Sequence, residues 1–217
     1  MTYIEFVCNE IENIQTGIPI YTKNIAKAIA TKYAMNEDKA SLATAVAFKR
    51  IMDGNIIPQL RFYQKGIYYK TIITPFGEIN INKDRLIADK YILPNIGYET
   101  GPSLMYHIGL TTQMPNERTI ATNVAREYTR EDKNLGVIIK PPKVKITAQN
   151  KDYLQTLDIL DWIDKTPVDE QEPYLIIAKH IKEKNLQYKE LLVFASNYYN
   201  KNTILRIADV AKERNLE

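Results

Sequence analysis

Apolar residues recur at three- and four-residue spacing through the first third of the chain, then alternate briefly, then lose their period, and return to helical spacing near the C-terminal end. Tyr3, Phe6, Val7, Ile11 and Ile14 predict a helix over residues 3–14, which "TGIP" ends. Ile25, Ala26, Ile29 and Tyr33 predict a second helix over 23–33 with Thr22 as its N-cap, followed by a turn at "AMNED". A third, over 38–52 and capped by Asp38, puts Ala40, Ala43, Ala47, Phe48 and Ile51 on one side. That inward face is mostly small, which lets two helices cross closely, as a helix-turn-helix requires. Gly54 ends it, and "NIIPQLRFYQKGIYYKTII" predicts two strands around a turn at 64–66. Three helices followed by a hairpin is the pattern of a winged helix-turn-helix, expected over residues 1–72.

Residues 73–217 predict a larger, mixed α/β domain. "TPFGEININKDRLIADKYI" is expected to connect into a helix over 83–91. Gly97, Gly101 and Pro102 mark a loop, and the short apolar "SLMYHIGL" closes at Gly109 as a helix would. "RTIATNVA" and "LGVIIKPPKVKITA" are rich in β-branched residues and predict strands, the second interrupted by Pro141 and Pro142. Four helices are then expected, over 153–164, 173–185, 188–199 and 202–214. The fold class is therefore α+β: a winged helix-turn-helix, then an α/β domain with a helical C-terminal third.

Composition narrows the chemistry. No apolar run reaches the roughly 20 residues of a membrane-spanning helix, and the N-terminal stretch is acidic where a secretory signal is basic, so a cytoplasmic protein without membrane contact is expected. Cys8, the single cysteine, rules out an intramolecular disulfide and a cysteine-rich zinc site. The first 72 residues hold nine Lys and Arg against six Asp and Glu, while the remainder holds twenty of each, so the surplus positive charge of +3 lies in the N-terminal module. That distribution suits a phosphate-facing surface.

Catalytic constellations are sparse. His107 and His180 have no Ser or Cys nucleophile elbow near them, Lys140 follows Ile138 and Ile139 where a nuclease strand would place an acid, and no phosphate-cradling Gly loop is present. The expectation is a non-catalytic protein without cofactor or metal. Asp158, Asp161 and Asp164, three apart, form the one acidic row that a metal-dependent enzyme would use. Tyr188, Tyr198 and Tyr199 are candidate interface anchors, and Lys143 to Lys145 a candidate second basic surface.

A winged helix sends its third helix into the major groove, with outward residues meeting base edges and basic ones meeting phosphates. The candidates here are Lys39, Ser41, Thr44, Lys49 and Arg50, with Ala45 beside them, and Arg61 and Lys65 on the hairpin, where Gly66 suits a tight tip.

The string "AFKRIMDGNIIPQLRFYQKGIYYK" resembles the winged-helix portion of AbiEi-type antitoxins, and "GYETGPSLMYHIGLTTQMPNERTIAT" resembles that family's passage from linker to antitoxin domain. The resemblance covers residues 36–145, with "GLTTQMP" its most specific piece. The matching positions are Phe48, Lys49, Arg50, Ile51, Gly66, Tyr68, Gly109, Leu110, Thr111, Thr112, Gln113 and Pro115. It implies an antitoxin of a type IV toxin-antitoxin (abortive infection) system, a transcriptional repressor of its own operon whose partners are operator DNA and a nucleotidyltransferase-like toxin. The alternative reading is a winged-helix transcriptional regulator with a ligand-sensing or dimerisation domain and no toxin partner.

Overall fold

Thr2 starts the first helix by a reciprocal cap: its hydroxyl accepts from the Glu5 amide, and the Glu5 carboxylate accepts from the Thr2 amide. The computed structural model describes residues 2–213. The chain divides into two compact units, Met1–Leu86 and Ile87–Glu217. It is a mixed α+β protein with a helical C-terminal part.

The first unit runs α1 (Tyr3–Glu12), β1 (Ile20–Tyr21), α2 (Thr22–Tyr33), α3 (Glu37–Asp53), β2 (Leu60–Gln64) and β3 (Ile67–Lys70). Helical spacing found the three helices, but two caps differ from expectation. Thr22 is the first residue of α2, and its hydroxyl donates to the Gly66 carbonyl at 3.3 Å, tying the helix to the hairpin turn. Asn36, in extended backbone conformation, caps α3 by accepting from the Lys39 amide at 2.9 Å. Asp38 sits inside the first turn, where a negative charge suits the helix dipole.

The core of this unit joins Phe6, Val7 and Ile11 of α1, Ile25 and Ile29 of α2, Ala40, Ala47, Phe48 and Ile51 of α3, and Ile20 and Leu60 of the sheet. The Phe48 ring lies 4.5 Å from that of Tyr68, so α3 packs directly on β3. The strands form an antiparallel sheet in the order β1–β3–β2, with Ile20 opposite Tyr68 and Phe62 opposite the same residue on the other side. Strand β1 was not expected, because two residues are too few to show a period.

Residues 73–82 are not a connector. They form a second small hairpin, β4 (Ile73–Thr74) and β5 (Gly77–Glu78), with Phe76 fully exposed at its tip. Three bonds hold it and the residues after it to the rest of the first unit: Thr71 Oγ1 donates to the Ile79 carbonyl at 2.7 Å, the Asn82 amide to the Gly17 carbonyl at 2.8 Å, and Arg61 Nε to Glu78 at 2.9 Å. These ties carry the unit to Leu86, past the boundary expected after residue 72.

The first unit ends within α4 (Lys83–Ile87), and the second opens with a π-helical turn over Ala88–Ile92. A four-stranded sheet follows in the order β6–β7–β9–β8, from β6 (Gly97–Thr100), β7 (Arg118–Thr122), β8 (Arg130–Asp132) and β9 (Val137–Lys140). β7 and β9 are parallel, and the other pairs antiparallel. Strand β6 occupies the segment whose glycines predicted a loop. Gly97 belongs there because a Cβ would stand 2.0 Å from the Tyr91 carbonyl oxygen, so only glycine permits that approach. At the sheet's edge Asp132 accepts from both Lys90 and Tyr91 at 2.7 Å. Strand β9 stops at Pro141, as the prolines require.

Helices α5 (Pro102–His107), α6 (Lys151–Trp162), α7 (Pro173–Glu183), α8 (Tyr188–Tyr198) and α9 (Lys201–Glu213) complete the unit. The expected end of the last helix, Arg214, lies outside the described residues. Leu157, Leu160, Ile177, Ile181, Leu191, Ile207 and Val210 close the helical core, with Leu104, Met105 and Leu110 from α5 and its exit. Among the described residues, no helix is long and apolar enough to cross a membrane.

Candidate nucleic-acid interface

Helix α3 buries Ala40, Thr44, Ala47, Phe48 and Ile51, spaced so that they form one stripe at 3.6 residues per turn. The opposite stripe is Leu42, Ala45, Val46 and Lys49, all exposed. Lys39 and Arg50 flank it on one side and Ser41 on the other, also exposed. Between Lys39 and Arg50 the helix carries three cations and no acid, while Glu37, Asp38 and Asp53 stand at its ends.

Thr44 is a correction. Placed outward from its polarity, it is 1% exposed, and its hydroxyl donates to the Ala40 carbonyl at 2.7 Å. A threonine whose hydroxyl bonds back one turn buries no unmet polar group, so it can face the core and cannot reach a base. The stripe is rotated accordingly: Ala43 is only partly buried, and the outward positions that polarity overlooked are Leu42, 69% exposed, and Val46, 49% exposed. The signal was present in the spacing of 42, 45, 46 and 49, hidden by the assumption that apolar residues point inward.

On the hairpin, Lys65 is exposed at the turn beside Gly66, whose φ of +81° is a left-handed value that glycine adopts without strain. Arg61 is committed elsewhere. Besides Glu78 it donates to the Pro58 carbonyl at 2.8 Å, so it braces the second hairpin. Lys39, Lys49, Arg50 and Lys65 thus remain the exposed cations of the expected set, with Ser41 beside them.

The acidic row that begins on α6 and ends at Asp164, just past it, is not gathered around a common point. Asp158 is 2% exposed and accepts from Thr100 at 2.6 Å, Tyr199 at 2.7 Å and Tyr98 at 3.4 Å, with Lys140 Nζ at 3.2 Å. Burial and the neighbouring carboxylate hold both phenols well above the usual tyrosine range. Asp161 pairs with Lys165 and Lys143 and accepts from Asn200, and Asp164 pairs with Arg206. Among the described residues no group of three His, Cys, Asp or Glu is placed to hold a metal ion.

Other candidates resolve into packing. Tyr199 serves Asp158 and carries Lys143 Nζ 3.8 Å over its ring, so part of the basic "KVK" segment is occupied within the unit. His107 Nδ1 lies 3.3 Å from Glu99, which also takes the Arg118 guanidinium. His180, on α7, has its Nε2 buried without a partner among the described residues. "GLTTQ" is clasped by one carboxylate: Asp169 accepts from the Thr112 amide at 2.8 Å and hydroxyl at 2.6 Å and from the Thr111 hydroxyl at 3.3 Å. These bonds, Thr112 foremost, hold Asp169 below the usual carboxylate range. A groove of about 450 Å³ opens among Leu175, Lys179, Leu186 and Tyr188.

No protein-family model matches the chain, and no curated protein matches it significantly.

Proposed function

We propose that the first unit is a winged helix-turn-helix that binds operator DNA through α3, and that the chain is an antitoxin of the AbiEi type, repressing its own operon and neutralising a nucleotidyltransferase-like toxin. One observation carries the DNA half. The succession helix, strand, helix, helix, strand, strand, with the sheet ordered β1–β3–β2, leaves α3 uncovered with Lys39, Lys49 and Arg50 exposed, and Lys65 at the hairpin tip. The antitoxin half rests on the resemblance over residues 36–145, whose most specific segment is tied down by Asp169 rather than left as a loose loop. A regulator sensing a small ligand is favoured by one feature, the groove beside α7 and α8.

Binding of the protein to the DNA upstream of its gene, against random duplex, tests the first half. We expect specific binding that weakens with salt. The Lys49→Ala, Arg50→Ala variant is expected to bind weakly and, having lost two phosphate contacts, to lower the slope of log K against log salt by about 2. Equal binding to both duplexes would sink the repressor. Growth rescue on co-expression with an adjacent nucleotidyltransferase tests the second half, and no rescue would leave a regulator without a toxin.

A further inference from the structure

We infer that α3 reads its operator through the C5-methyl groups of thymine, so that specificity rests on apolar contact in the major groove rather than on bidentate hydrogen bonds. The inference rests on the proposed DNA binding and deepens it. Along the middle of α3 the residues that point furthest from the core are Leu42, Ala45, Val46 and Lys49, at i, i+3, i+4 and i+7, with exposed Asp38 and Asp53 continuing the stripe at the two ends of the helix. Three of these four have no hydrogen-bonding side chain. This outward face carries no Asn or Gln to pair with adenine, and Arg50 stands on its flank rather than at its centre.

The floor of the major groove offers one protruding apolar group, the thymine methyl; cytosine shows only a recessed C5–H at that position, and the other base-edge groups are donors or acceptors that an aliphatic side chain would desolvate without replacing. Leu42 and Val46, 69% and 49% exposed, therefore have one favourable base-edge partner. The surrounding charge fits the same occupant. Lys39 and Arg50 lie along one edge of the stripe and Lys49 within it, with no acid between them, which suits one of the two phosphate ridges bordering a groove. Each contacted methyl is worth about 0.8 kcal/mol, or roughly fourfold in affinity.

Uracil differs from thymine by that methyl alone. The test compares the upstream duplex, its protected region defined by footprinting, with the same duplex carrying uracil for thymine there. Wild-type protein is expected to bind the uracil duplex about fourfold more weakly for each methyl it contacts. The Leu42→Ala, Val46→Ala variant, whose changes fall on exposed helical positions, should bind both duplexes equally while keeping its salt dependence and its thermal melt. Equal wild-type binding to thymine and uracil duplexes overturns the inference and leaves DNA binding standing. No preference for upstream over random DNA overturns both. A shift from dimer to monomer on making the double variant, measured by light scattering, would show that the stripe meets a second copy of the chain instead.

Discussion

At the scale of single residues, polarity proved a poor guide to which way a side chain faces. Thr44 turns inward because its hydroxyl is satisfied within its own helix, and Leu42 turns outward because the core stripe on either side is already complete. His180 shows the cost of the opposite situation. Among the described residues its Nε2 is buried without a partner, and burial, aided by Lys184 and opposed by Glu183 and Asp152, holds its pKa below the ordinary histidine value. Because the folded value is the lower one, the unfolded chain takes up the proton first. Stability is then full above about pH 6.5 and falls as pH drops toward the folded value. Denaturant melts at pH 7.5 and 5.5 should show wild type losing stability on acidification, while His180→Phe should lose less. An identical loss in both would assign the effect to other groups.

At the scale of elements, helices were legible and short strands were not. A helix of ten residues or more shows its period several times over, so α1, α2, α3 and α6 to α9 stood out of the sequence, whereas β1, β4 and β5 have two residues each and β6 contains a glycine that reads as a break. The outward face was legible to the same degree: the pattern placed Lys39, Ser41, Lys49, Arg50 and Lys65 at positions that are exposed, but the partners that engage Arg61 and turn Thr44 inward lie 17 positions away in one case and in the backbone in the other. Asp169 is a further long-range partner, 57 positions from Thr112. Asp169→Ala should leave three donors of "GLTTQ" without their acceptor and loosen that loop while the helices stay folded. Hydrogen exchange at Thr112 measures it, and unchanged protection there would deny the clasp its role.

At the scale of the whole molecule, the ties from Gly17, Arg61 and Thr71 to residues 78–82 make a definite claim about where the first unit ends. A fragment spanning 1–86 should melt cooperatively, and one cut at 72 should be less stable by a margin visible in its midpoint; equal midpoints would make the second hairpin an ornament. In the second unit, Asp158 gathers Tyr98 and Thr100 from β6, Lys140 from β9 and Tyr199 from the end of α8. Removing the acid leaves the hydroxyls of Tyr98, Thr100 and Tyr199 without their acceptor and the partly exposed Lys140 without its counter-charge, a loss of roughly 3 kcal/mol, so Asp158→Ala should lower the melting temperature sharply, and a change under a degree would refute the account. The same convergence limits how this protein can be recombined. An acid whose donors come from two strands and from the residue that ends α8 must travel with all of them, so a chimera that grafts the C-terminal helices onto another sheet inherits an unanswered charge. In any lineage built by exchanging segments, that sheet and those helices are one heritable block.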